Sequence, residues 1–231
     1  MPQETEVHPQ SLFPPQPIPP AAQALNERIQ GMMDGQPKDE AAVSGVLTGM
    51  DELLDLMGAA LYNLASMLVG EGEESIALVE TAIANAEIAL CQDTTMARQN
   101  SRRALCRAAV ELIGRREPAS LQAPEGAFHV VSCLEEDDLE GAGISREDLD
   151  RMIAGPERGR VREWLESLPV ATRVVFVLRA VAGLSGAETA GILAEHGGVA
   201  ASGWTPAGVR ELFRLGLCSL ASQLLHASAT R

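Results

Sequence analysis

Two groups of arginines have the type and spacing to hold phosphates. Arg210 and Arg214 lie four apart in GVRELFRLGLCSL, residues 208–220, and Arg102, Arg103 and Arg107 lie in RRALCRAAVELIGRR, residues 102–116. A guanidinium presents a planar fork of donors that fits a phosphate, and residues three or four apart share one side of a helix. Other chemistry is thinly represented. His129-x3-Cys133 is half of a metal-site spacing with no second ligand pair, so packing explains it better and no metal is expected. No Ser/His/Asp arrangement, glycine-rich phosphate loop or paired-carboxylate motif stands out. The chain reads as a binding protein rather than an enzyme, with no cofactor.

The elements that must position these arginines are helical. Hydrophobic residues make up 46% of the 231-residue chain and aromatics only 3%, so any core is aliphatic. Abundant Ala and Leu with few β-branched runs predict an all-α fold. The net charge of −14 argues against a broad nucleic-acid surface. That charge is uneven: residues 117–163 carry 12 acidic and 5 basic groups, whereas residues 164–231 carry 4 and 5. Lys38 is the one lysine among 18 cations. Cys91, Cys106, Cys133 and Cys218 form no CxxC pair, which predicts reduced, mostly buried thiols and a cytoplasmic location. No apolar run reaches the roughly 18 residues of a membrane span. The acidic, Pro-rich start has no signal-peptide pattern.

Residues 1–38 read as a disordered Pro-rich arm, since seven of the 13 prolines fall in the first twenty positions. Within it Ala21 to about Met33 could form a short helix. Residues 39–116 read as a helical domain. Asp39 to Gly70 is helical nearly throughout, Gly70-Glu71-Gly72 is a break, and Glu73 to about Leu90 is the next helix. A third helix runs from about Met96 to Gly114, with Leu105, Ala108, Ala109, Leu112 and Ile113 inward. Residues 117–159 read as an acidic linker, in which AFHVVSCL is a short strand or extended piece and Ser145 caps a short helix through Ile153. Residues 160–231 form the last domain: VREWLESL closed by Pro169, a helix from Ala171 to Gly183, a helix opened by the Ser185/Glu188 capping box, a loop, and a final helix with Thr205 as N-cap and Pro206 at N1.

WLESLPVATRVVFVLRAVAGLSGAETAGIL resembles the C-terminal domain of bacterial RNA polymerase sigma factors of the extracytoplasmic-function group. Leu168-Pro169, Arg173 with Val174 to Leu178, Gly183-Leu184-Ser185 and Glu188 carry the likeness. LYNLASMLVGEGEESIALVETAI resembles the family's polymerase-binding helices, with Leu78, Val79 and Glu80 in the partner-binding patch. RRALCRAAVELIGRR resembles the promoter-melting helix. The resemblance implies three helices packed as a bundle and a C-terminal helix-turn-helix domain, joined by the acidic linker. It also implies RNA polymerase core as partner, an anti-sigma factor as a further one, and promoter DNA contacted by Thr205, Arg210, Glu211 and Arg214 together with Arg102, Arg103 and Arg107.

The chain departs from the family pattern in three places. Ala104 stands where a Trp is expected and Glu111 where an Asn is common, and residues 63–127 contain no aromatic to hold an unstacked base. The turn from Ala194 to Trp204 is about twice the family's length. Leu212, Leu215 and Leu217 replace cations, which would lower the salt-dependence slope of DNA binding by roughly 2.7. Exposed leucines are a liability, so these three should be covered by the Trp204 loop or by a protein partner. The departures support a second reading, a sigma-shaped interaction module whose DNA contact is weak or lost. No membrane partner is expected.

Overall fold

The computed structural model describes residues 58–86, 94–124 and 139–229, and these are helical with no strand among them. The Pro-rich arm, the first half of the Asp39–Gly70 helix, AFHVVSCL, His129, Cys133 and the Glu135–Asp138 run lie outside the described residues. In chain order the helices are α1 (58–69), α2 (Glu73–Asn85), α3 (Thr94–Arg116), α4 (Arg146–Ala154), α5 (Arg158–Ser167), α6 (Val170–Phe176), α7 (Gly186–His196) and α8 (Pro206–Ala229). Short 3₁₀ turns at Pro118–Leu121 and Val199–Ala201 complete the framework.

The local signals act where the residue types place them. Gly70 and Gly72 take φ of 92° and 136°, the left-handed region that a side chain resists, and they separate α1 from α2. Ser145 Oγ accepts from the Asp148 N–H at 3.1 Å and opens α4. Ser185 and Glu188 form a complete capping box on α7. Thr205 Oγ1 accepts from the Gly208 N–H at 3.2 Å, so α8 begins on a Thr cap followed by proline.

Two elements differ from expectation. α2 stops at Asn85, where Ala86 turns extended with ψ of 121°, rather than continuing toward Leu90. The helix expected over Ala171–Gly183 is regular only to Phe176; Val177–Val181 is a wider π-type turn in which the Ala182 N–H reaches Val177 O at 2.9 Å. Arg146 takes up two of the turn's carbonyls, donating to Ala180 O and Val181 O, and Arg179 within the turn donates by Nη1 to Leu184 O of the following loop at 3.0 Å.

The core around α3 is mostly aliphatic, with Leu68, Val79, Leu105 and Val110 fully buried and Tyr62 its one buried aromatic among the described residues, and it gathers rings in the C-terminal half. There Trp164 meets Phe176 edge-on at 4.9 Å, and Phe176 meets Phe213 at 5.7 Å. Trp164 Nε1 donates to Ser219 Oγ at 3.0 Å, which ties α5 to α8. Gly216 lets α8 lie against Phe176, since a Cβ there would stand 2.9 Å from Phe176 Cδ2. Val209, Phe213 and Leu220 are buried beside it.

The two halves of the chain also pack on each other, through α3 and α7. A Cβ on Gly114 would lie 2.5 Å from Gly197 O, so the backbones of α3 and the end of α7 meet with no side chain between them. Trp204 Nε1 donates to Leu121 O at 2.8 Å, and the Ala123 N–H reaches Ala200 O at 3.3 Å. The long turn after α7 is therefore a dock for the segment that follows α3.

Gly114→Ala and Gly216→Ala are expected to destabilise the protein by about 1–3 kcal/mol each through overpacking. Gly191→Ala, in open space on α7, should be neutral or gain up to about 1 kcal/mol from helix propensity. Urea unfolding of the three variants checks this, and an unchanged midpoint for Gly114→Ala would mean that the helices do not meet there.

Candidate nucleic-acid interface

α3 concentrates cations in an acidic chain. Its sequence holds six arginines, at 98, 102, 103, 107, 115 and 116, against Glu111 alone. Arg98/Arg102 and Arg103/Arg107 are like-charge i,i+4 pairs, each unfavourable to the helix by roughly 0.2–0.5 kcal/mol. The distal arginines are neutralised: Arg115 lies 3.9 Å from Glu111, and Arg116 pairs with Glu74 on α2. Arg103 is also engaged, its Nη2 2.6 Å and its Nε 3.2 Å from Glu188 Oε1 on α7. Arg98 and Arg107 are exposed and Arg102 half-buried, and none of the three has an ion pair among the described residues. Arg98 belongs with the cluster although the motif around residues 102–116 does not include it.

α8 offers less. Thr205 at its N-cap and Arg210 just past its first turn are exposed, but Arg214 is half-buried and pairs with Glu211 at 3.4 Å. Leu212 is 7% and Leu217 0% exposed, and Leu215 is half-buried. The cover comes from within the chain, because α8 packs on α6 and α7. Burial of each leucine contributes roughly 1.5–3 kcal/mol, so Leu212 and Leu217 stabilise the fold and are not offered to a partner. Leu78 and Val79, expected at a partner surface, are likewise core residues, with Glu80 half-buried beside them. Helix α2 must turn Leu78 and Val79 inward to pack on α3, which leaves Ala77 and Thr81 exposed.

The electrostatics single out Glu188. Its carboxyl is held down to about 2 from an ordinary 4.5, first by the Ser185 N–H, then by the Ser185 hydroxyl and by Arg103. The two oxygens divide the work: Oε2 accepts from the Ser185 N–H at 2.9 Å, and Oε1 takes Arg103. On α4, the Ser145 hydroxyl and Arg151 lower the Asp148 carboxyl in the same way.

Burial pushes the Cys106 thiol up to about 12, so it stays protonated and inert. Cys218 is disulfide-bonded, which corrects the expectation of four reduced thiols; Cys91 and Cys133 lie outside the described residues. Disulfides persist in oxidising compartments, so this bond gives the cytoplasmic expectation no support. No helix among the described residues is long and apolar enough to cross a membrane, and no group of three or more His, Cys, Asp or Glu among them is placed to hold a metal ion. No family model, curated protein or solved structure matches this chain.

A carboxyl lowered on folding adds stability that is complete above the unfolded value and lost as pH falls through the folded one. The advantage of the wild type over Glu188→Gln should therefore be full above about pH 4.5 and fade toward pH 2. Thermal melts of both proteins across that range test it; a pH-independent difference would show that Glu188 acts only as a neutral cap.

Proposed function

We propose that the chain is a sigma-factor-like transcription initiation protein that binds RNA polymerase core and contacts promoter DNA. The observation that carries this reading is the arginine cluster of α3, which overlaps the segment resembling the promoter-melting helix. A chain with 32 acidic residues gains nothing for its own folding by placing like charges four apart on the solvent side of a core helix. A phosphate backbone supplies a counter-charge that no described residue gives Arg98, Arg102 or Arg107, and arginine forks hold it in register without reading sequence. The α7–α8 pair, read as a helix-turn-helix, adds Thr205 at the N-cap of α8 and Arg210 just past its first turn, both exposed.

In this reading α3 contributes more of the affinity than α8. Three phosphate contacts at Arg98, Arg102 and Arg107 correspond to a salt-dependence slope of about −2.7. Residues 63–127 contain no aromatic, which favours duplex or backbone contact over capture of a flipped base. An anti-sigma factor is a further proposed partner.

The interior position of Leu212 and Leu217, together with the Arg214–Glu211 pair, favours a second reading in which α8 no longer reads DNA. The chain would then be a sigma-shaped module that binds polymerase, an anti-sigma factor or a second copy.

Pull-down with core polymerase and fluorescence anisotropy with promoter duplex separate the readings. The first predicts core binding, a low-salt DNA complex and loss of that complex in Arg98→Gln/Arg102→Gln/Arg107→Gln. Core binding with no DNA complex at low salt would favour the second, and absence of both interactions would exclude the sigma-like assignment.

A further inference from the structure

Arg103 has two possible anionic partners, and it cannot satisfy both. It sits in the arginine cluster of α3, four residues before Arg107 and next to Arg102, yet its guanidinium is turned onto Glu188 at 2.6 Å. The two helices are aligned so that this competition matters. The contacts Arg103–Glu188 and Gly114–Gly197 lie eleven residues apart on α3 and nine on α7, about 16 and 13 Å along the axes, and they run in the same direction. The N-terminus of α7 is therefore brought to the level of Arg103, with Arg98, Arg102 and Gln99 on α3 just beyond it.

From this arrangement we infer that Glu188 is an internal competitor for Arg103: while the ion pair is closed, the arginine cluster of α3 is short of one phosphate contact, and engagement of a nucleic-acid backbone draws Arg103 away from α7. The inference rests on the proposed nucleic-acid role of α3 and specifies how that role is held in check. The pair is suited to exchange. Both side chains keep 39% of their surface open, so water and an incoming phosphate can reach them. An exposed pair of this kind is weak enough to be traded for another anion. Release does not dismantle α7, because Glu188 Oε2 keeps its bond to the Ser185 N–H and the Ser185 hydroxyl keeps its bond from the Glu188 N–H at 3.1 Å. The competing carboxylate and the helix cap are thus separate functions of one side chain. A second consequence is mechanical. Arg103 is one of the polar ties between the two halves, so a bound phosphate backbone loosens the α3–α7 seam at its N-terminal end while Gly114–Gly197 holds the other end.

The test is a double-mutant cycle read by anisotropy of a fluorescein-labelled random-sequence DNA duplex against salt. Glutamine preserves the capping box, so Glu188→Gln frees Arg103 without uncapping α7. The full-length Glu188→Gln protein is expected to bind up to about fivefold more tightly, the scale of an exposed ion pair, and its salt slope should steepen by about 0.9, one added phosphate contact. In an Arg103→Gln background, Glu188→Gln should change neither quantity. Equal tightening in both backgrounds would mean that Glu188 merely repels DNA and would overturn the inference, as would unchanged binding in the single variant. If neither wild type nor variant binds duplex at low salt, the nucleic-acid reading of α3 fails and this inference fails with it.

Discussion

Gly114 and Gly197 bring the backbones of α3 and α7 together at a point where any side chain would intrude. Much of the rest follows from that approach. It sets the α7 N-terminus beside Arg103, and it places the turn after α7 where Trp204 can bond to Leu121 O. It also fixes which face of α3 stays open. Arg98, Gln99 and Arg107 stay exposed along the helix, while Gly114 is buried at the seam.

The C-terminal half is held differently. Rings add to its aliphatic core: Trp164 meets Phe176 edge-on, Phe176 meets Phe213 at a tilt, and Arg179 lies 5.0 Å above the Phe213 ring. In a chain with so few aromatics, three gathered in one cluster concentrate the packing energy there. α8 is the beneficiary. Its leucines, anomalous when viewed as a DNA-reading surface, are the residues that bind it to α6 and α7.

Much of this was legible in the residues. Helix type and most starting points follow from caps that act locally: Ser145, Ser185 with Glu188, and Thr205 with Pro206. The inward residues of α3 follow from their 3.6-residue spacing. Three features were not legible. The π-type turn at Val177–Val181 depends on Arg146, more than thirty residues earlier, to take up its carbonyls. The Arg103–Glu188 pair spans 85 residues, and nothing in either local pattern names the other. The partner role expected of Leu78 and Val79 rested on resemblance, and periodicity alone could not say that packing on α3 would consume them. Gly114 was the one available hint, since a glycine inside a helix that continues past it marks a close approach.

The most direct measurement is the distance between α3 and α7 in solution. Spin labels carried on noncanonical residues at Gln99 and Glu195, both exposed and one on each helix, would report it by pulsed electron paramagnetic resonance without using the native cysteines. Docked helices predict one narrow distance distribution that Gly114→Ala broadens. A broad distribution in the wild-type protein, unaffected by Gly114→Ala, would contradict the account.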